Sequence, residues 1–394
     1  MAQQFLNYDQ ALAKHGRPAA FVDLDAFENN VQSIIQRANG LPVRLASKSV
    51  RCPELLRHAM AMSEQLQGLM CFHGLEACAL AAQGFDDLLV AYPTTEIHTL
   101  HQVCERIALG NLIVLMVDNA EQVKRIAAVA RAVGVVVPLC MGVDMSWHLP
   151  GLNFGVYRSP VRTVKEALAL FAHIAKESSV YLDGVMGYEA QVAGLPDHLP
   201  GQAVKSYLMR QLKARSVAVY QQRRQTVVQA LIKAGAPLRF VNGGGTGSLE
   251  STTKDASVTE VSAGSALYAP TLFDHYNDFQ HLPALMFALE VCRKPSAMIA
   301  TCLGGGYVAS GAVGKDKLPE PVWPQGLTLL SNEGAGEVQT PVQGAEALSI
   351  GDTVFFRHAK AGELTERFNE LLLLRDAECV GKAATYRGLG WQFI

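Results

Sequence analysis

What most constrains this chain is an alternation of short β-rich runs with helical patterns, kept up as far as about residue 274. The runs cover 42–49, 68–74, 87–93, 112–118, 135–145, 181–191, 238–245 and 258–268. Between them, helical spacing of apolar residues covers 54–67, 75–83, 96–108, 120–133, 160–177 and a long stretch within 202–234. Strands separated by helices pair in parallel, and eight such units are what closure into a (β/α)8 barrel requires. An open doubly wound sheet obeys the same periodicity; the count favours the barrel. The length of 394 residues suits a barrel of roughly 250 residues with a second domain.

Beyond 274 the alternation stops. Short strand-like pieces at 284–292, 296–301, 327–331, 353–357 and 370–374 are separated by turn clusters such as Gly304-Gly305-Gly306 and Pro319-Glu320-Pro321, the pattern of a small β-domain. The expected division is a leading segment 1–24 that joins the β-domain, a barrel over 25–275 and a β-domain over 276–394. An early strand at 18–25 leads into a helix with Phe27, Val31, Ile34, Ile35 and Ala38 at helical spacing. There Asp25 and Glu28 read as an Asx version of a capping box.

Charge and cysteine usage exclude several classes. A formal net charge of -2 gives no basic excess for nucleic acid or an acidic membrane surface. The 8 cysteines are scattered without a Cys-x-x-Cys pair, as expected of buried thiols in a reducing cytosol. Residues 1–20 lack an apolar h-region, and no apolar run approaches the roughly eighteen residues of a membrane span. The expectation is a cytoplasmic protein with a small-molecule partner.

The chemistry gathers where barrel strands end, the face at which such folds place their sites. The first run ends in Ala46-Ser47-Lys48-Ser49. A lysine at the edge of a partly apolar pocket loses hydration, which lowers its pKa and frees the amine for Schiff-base chemistry; an exposed strand-end lysine is the plain alternative. The seventh run ends in Asn242-Gly243-Gly244-Gly245-Thr246-Gly247-Ser248, where backbone amides can approach an anion closely. The eighth ends in Gly264-Ser265-Ala266-Leu267-Tyr268, a second small-residue turn. An amine after strand one and a phosphate cradle after strands seven and eight fit one ligand, pyridoxal 5'-phosphate. The sixth run adds Gly187-Tyr188-Glu189-Ala190-Gln191, in which Glu189 and Gln191 share a face, and the fifth adds Asp144, which reads equally well as a helix cap.

These motifs, with Val22-Asp23-Leu24-Asp25 and Arg44, resemble the fold-type III pyridoxal-phosphate enzymes, specifically the D-threonine aldolase and D-serine dehydratase branch with an alanine racemase-like N-terminal domain. The resemblance runs from near residue 17 to about 375. It implies that Lys48 carries the cofactor covalently and that Gly243, Gly244, Gly245, Thr246, Gly264 and Ser265 hold its phosphate. It also implies that Tyr188, Arg44, Gln191 and Tyr268 belong to the cofactor site. A homodimer with shared active sites is implied as well, His358 and Lys360 reaching the partner's lysine.

Two departures from the branch stand out. Its aldolases and dehydratases carry a proline and a histidine just after the arginine and a histidine two residues past the lysine; here those positions are Leu45, Ala46 and Val50. Its metal is held by a histidine and, two residues on, a cysteine or aspartate; here His358 is followed by Lys360. On a strand these two would share a face, placing an ammonium where the metal sits. A site without metal is expected, with His358 and Glu363 as a shifted metal site or all three as surface residues being the alternatives. The reaction expected is retro-aldol cleavage of a β-hydroxy-α-amino acid, with His358 as base, Lys360 stabilising the alkoxide and Lys48 moving a proton at Cα. Dehydration with deamination, racemisation, a non-catalytic cofactor carrier and a cofactor-free phosphate-binding barrel are the other readings.

Overall fold

The computed structural model describes residues 2–312 and 314–394. It opens with a helix, α1 (Ala2–Leu12), and a strand, β1 (Ala19–Asp23), before the barrel begins. The first barrel helix, α2 (Leu24–Arg37), buries Phe27, Val31 and Ile34 at helical spacing. Its cap is Asp23, whose carboxylate accepts the Ala26 amide hydrogen at 2.9 Å. Asp25 and Glu28, read from sequence as the capping pair, instead face Arg375 of the second domain. The cap lies two residues upstream because β1 runs straight into the helix.

Eight parallel strands close the barrel: β2 (Val43–Ala46), β3 (Leu66–Cys71), β4 (Leu88–Val90), β5 (Ile113–Val117), β6 (Val137–Gly142), β9 (Val180–Gly187), β10 (Phe240–Gly243) and β11 (Glu260–Ala263). Closure is made by β11 beside β2, with Val261 opposite Val43. Every run expected from the sequence supplies one strand. A hairpin of β7 (Trp147–Leu149) and β8 (Leu152–Phe154), not foreseen, interrupts the fifth connection and carries the chain to Arg158.

The barrel interior is layered. At the amino end, Arg44 pairs with Glu260 and Asp87, and Arg239 pairs with Asp87 and Asp183. Above that lies an apolar plug of Leu89, Val114, Met116, Cys140, Met186 and Phe240. The carboxyl ends of the strands open above the plug.

The second domain is a nine-stranded sheet that takes in β1, paired antiparallel with β12 (Leu285–Ser296) and parallel with β18 (Glu370–Arg375). Its other strands are β13 (Ile299–Leu303), β14 (Glu320–Trp323), β15 (Thr328–Leu329), β16 (Gln339–Gln343), β17 (Thr353–Arg357) and β19 (Glu378–Ala384). Helix α1 packs on it, Phe5 stacking on Trp323 with ring centroids 5.3 Å apart. Residues 2–23 thus lie with the β-sheet, and the segment after β17 leads back over the barrel mouth. Among the described residues no helix is long and apolar enough to cross a membrane.

Candidate active site

The carboxyl ends of the barrel strands enclose a cavity of about 510 Å³, a size suited to a small organic ligand. Lys48 projects into it from the turn that follows β2, and its Nζ donates to the Tyr92 hydroxyl at 2.9 Å. Four features hold that turn. The Ser47 hydroxyl lies 2.7 Å from Glu76 and 2.9 Å from the Met70 carbonyl oxygen. The Arg51 Nε donates to the Lys48 carbonyl oxygen at 3.1 Å. Ser49 and Ser265 hydroxyls meet at 3.2 Å. Finally, Gly362, at φ +80°, lies so close that a Cβ there would overlap the Lys48 carbonyl oxygen.

Glu76 is buried under the turn and also accepts from the Phe72 amide at 2.6 Å and the Tyr386 hydroxyl at 2.8 Å. Burial pushes its carboxyl up to about 7, outweighing the hydrogen bonds that favour the anion.

Opposite the lysine, Gly244, Gly245, Thr246, Gly264 and Ser265 form the cradle wall. A Cβ at Gly264 would fall 2.8 Å from the Ala46 carbonyl oxygen, so only glycine lets β11 come this close to β2. A Cβ at Gly245 would meet the Tyr188 ring at 3.1 Å. The cradle is anchored from behind: Gly245 donates its amide hydrogen to the Ser248 hydroxyl, which donates to Glu189. Glu189 pairs at 2.8 Å with Arg224, itself held by Asp255 at 2.9 Å, all three side chains being fully buried.

The residues expected from sequence divide cleanly. Lys48, Tyr188, Gly244, Gly245, Thr246, Gly264, Ser265 and Lys360 line the cavity. Arg44 does not: it lies two residues below Ala46 in the ion-pair layer, separated from the mouth by the apolar plug. Gln191 is turned away, donating to the Met145 carbonyl oxygen and the Ser216 hydroxyl. Gly243 faces Arg224 and Thr252 behind the wall, and Tyr268 is buried with its hydroxyl on the Val50 carbonyl oxygen at 3.0 Å. Sequence reasoning missed Tyr92, which ends the third run, and Arg158, whose guanidinium lies 5.7 Å from the Tyr92 ring and 5.4 Å from the Tyr188 ring.

His358 and Lys360 part company. Strand β17 ends at Arg357, so the two side chains do not share a strand face. His358 packs edge-on against Tyr268, outside the cavity lining, with burial holding its imidazole down to about 3. Lys360 faces the cavity, its Nζ 2.8 Å from the Ser310 hydroxyl and 3.2 Å from Glu363. Lys360 lines the cavity of its own chain's Lys48, where the resemblance had it reach a partner's. Among the described residues no cluster of three or more His, Cys, Asp or Glu side chains is placed to hold a metal.

A closed parallel barrel with its site at the strand ends and a β-domain folded over the mouth is the architecture of the alanine racemase class. The family model for the alanine racemase N-terminal domain matches residues 22–271, and the chain belongs to that family. It is 25% identical to D-threonine aldolase of an Arthrobacter species over 64% of its length, and 22% identical to 3-hydroxy-D-aspartate aldolase of Paracoccus denitrificans over 66%. These matches span 61% and 62% of the relatives' own lengths. The crystal structure of D-threonine aldolase from Filomicrobium marinum shares the fold with a TM-score of 0.81 at 19% identity, covering 97% of both chains.

Proposed function

We propose that this chain is a pyridoxal-phosphate-dependent lyase that cleaves the Cα–Cβ bond of β-hydroxy-α-amino acids. The carrying observation is the convergence of Lys48 and the glycine cradle on one cavity. The residues fit the cofactor: an amine for its aldehyde, glycine-lined backbone and the Thr246 and Ser265 hydroxyls for its phosphate. The cradle wall itself contributes no carboxylate to repel an anion. Relatives named as aldolases for threonine and hydroxyaspartate supply the substrate class.

When bound, the cofactor supplies an electron sink for the pair left on Cα. Lys48 would hold it, and its amine would move a proton at Cα. Arg158 and Lys360 offer cations to the substrate carboxylate or alkoxide, and Tyr188 closes the cavity beside Gly245. The reaction proceeds without a metal in this reading, because an ammonium at Lys360 has no lone pair for ligation and His358 is turned away. The chain forms a homodimer, each barrel mouth being closed by its own chain's Lys360 segment.

The test combines visible absorbance, borohydride reduction with mass added at Lys48, and product analysis on a panel of D- and L-β-hydroxy amino acids. Aldehyde release that survives chelation supports the reading. Ammonia release favours dehydration, the activity of a relative named D-threo-3-hydroxyaspartate dehydratase, 27% identical over 63% of this chain. Enantiomer exchange favours racemisation, colour without turnover a carrier, and a protein that takes up no cofactor overturns the proposal.

A further inference from the structure

Cleavage next to a β-hydroxyl needs a group that takes the hydroxyl proton, and the side chains expected for it are missing from the cavity. Position 46 is alanine, position 50 is valine, and His358 lies outside the lining. We infer that Tyr92 is the general base and acid for the β-hydroxyl, an inference that rests on the lyase reading above.

Tyr92 follows β4 at the barrel mouth and lines the cavity beside the lysine. Its oxygen accepts from Lys48 Nζ at 2.9 Å, and the Arg158 guanidinium lies 5.7 Å from its ring. The charged and titratable groups facing it are Lys48 from the turn after β2, Arg158 from the loop after β8, Lys360 from the segment after β17 and Tyr188 from the end of β9. Burial acts to raise the Tyr92 pKa, but Lys48, Arg158 and Lys360 outweigh it and hold the phenol below its ordinary value. The other candidates on the wall are committed or disfavoured. Burial pushes Tyr188 up to about 12. Tyr276 donates to the Ala193 carbonyl oxygen at 2.9 Å. Glu363 is held by the Ser310 amide and hydroxyl and by Lys360, which keep its carboxyl below the ordinary range against its burial. Cys71 is a buried thiol whose pKa burial drives well up.

In the cleavage step the β-hydroxyl O–H bond breaks and its proton passes to the Tyr92 phenolate oxygen. The freed oxygen pair forms the carbonyl π bond as the Cα–Cβ bond breaks, and the Cα–Cβ pair remains with Cα until the Lys48 ammonium delivers a proton there. Tyr92 then returns its proton to Lys48 along their hydrogen bond. The aldehyde leaves, the protonated Cα is that of glycine, and both side chains regain the protonation states they held before cleavage.

Tyr92→Phe is the test. The variant is expected to keep the borohydride adduct at Lys48 while kcat falls about 100- to 10,000-fold with little change in KM. A second readout needs no cofactor: near-ultraviolet titration of the apoprotein should show a tyrosinate that forms at lower pH than the rest of the 11 tyrosines. That tyrosinate should be missing from Tyr92→Phe and shifted upward in Lys48→Met. A variant with near wild-type kcat overturns the inference. So does loss of the Lys48 adduct, which would make Tyr92 a positioning residue, or an unchanged tyrosinate titration. Wild-type protein that takes no adduct at Lys48 overturns the lyase reading as well, so the two failures are distinguishable.

Discussion

The two walls that face each other across the cavity carry charge in opposite ways. Behind the glycine cradle, Arg224, Glu189 and Asp255 are removed from water, and every charge meets an opposite one at hydrogen-bond distance. On the second-domain wall, the Lys360 side chain is 44% exposed and its Glu363 partner 28%. Dry pairs tolerate no loss of a member, whereas solvent weakens the other pair and lets it vary. The cradle therefore acts as framework, and the Lys360 edge is where a new side chain can change the chemistry without unfolding the protein. Between them, Glu76 is a third case: a buried carboxyl with neutral hydrogen-bond partners and, among the described residues, no ion pair.

The largest effect is expected from Arg224→Met, which strands two buried carboxylates and lowers the unfolding free energy by about 3–5 kcal/mol in urea melts. Wild-type stability there would erase the contrast between the walls.

Next comes Glu76. In the unfolded chain this carboxyl ionises in the ordinary range, while in the folded protein burial holds the proton up to about 7. A folded pKa above the unfolded one gives a contribution that is complete below the unfolded value and is lost as pH rises through about 7. The total is about 3 kcal/mol by the usual conversion of pKa shift to free energy. Glu76→Gln should flatten that decline in denaturant midpoints measured across the same window; an unchanged slope would assign it elsewhere.

Gly362→Ala should cost about 1–3 kcal/mol, since φ +80° and the Lys48 carbonyl oxygen both oppose a side chain. It should also lower cofactor retention, read from visible absorbance after dialysis. The smallest stability effect is expected for Lys360→Met, within about 1 kcal/mol of wild type, because the pair is solvent-screened. Its kcat/KM should nonetheless fall about tenfold or more if the ammonium faces developing charge.

The barrel was legible in the sequence because parallel strands buried on both faces leave continuous apolar runs between helical patterns. The lysine turn and the glycine cradle were legible because each follows such a run. Strands β14, β16 and β19 were not: Pro321, Pro341 and Gly381 interrupt the apolar signal within them. Arg44 was assigned to the site by the resemblance alone, but it lies two residues of strand below Ala46, a layer about 7 Å deeper. His358 and Lys360 were taken as strand neighbours, but the strand ends at Arg357, before both. Tyr92 had a signal, being the tyrosine at the end of the third run. Arg158 had none, because the β7–β8 hairpin that delivers it breaks the periodicity.

Gly362 seats the second domain on the carbonyl of the very lysine it helps to enclose, so both walls of the cavity are drawn from one polypeptide. Two crippled genes expressed in one cell, one without the amine and the other without the ammonium, should therefore fail to rescue each other. The chain carries both of these groups on the wall of its own cavity.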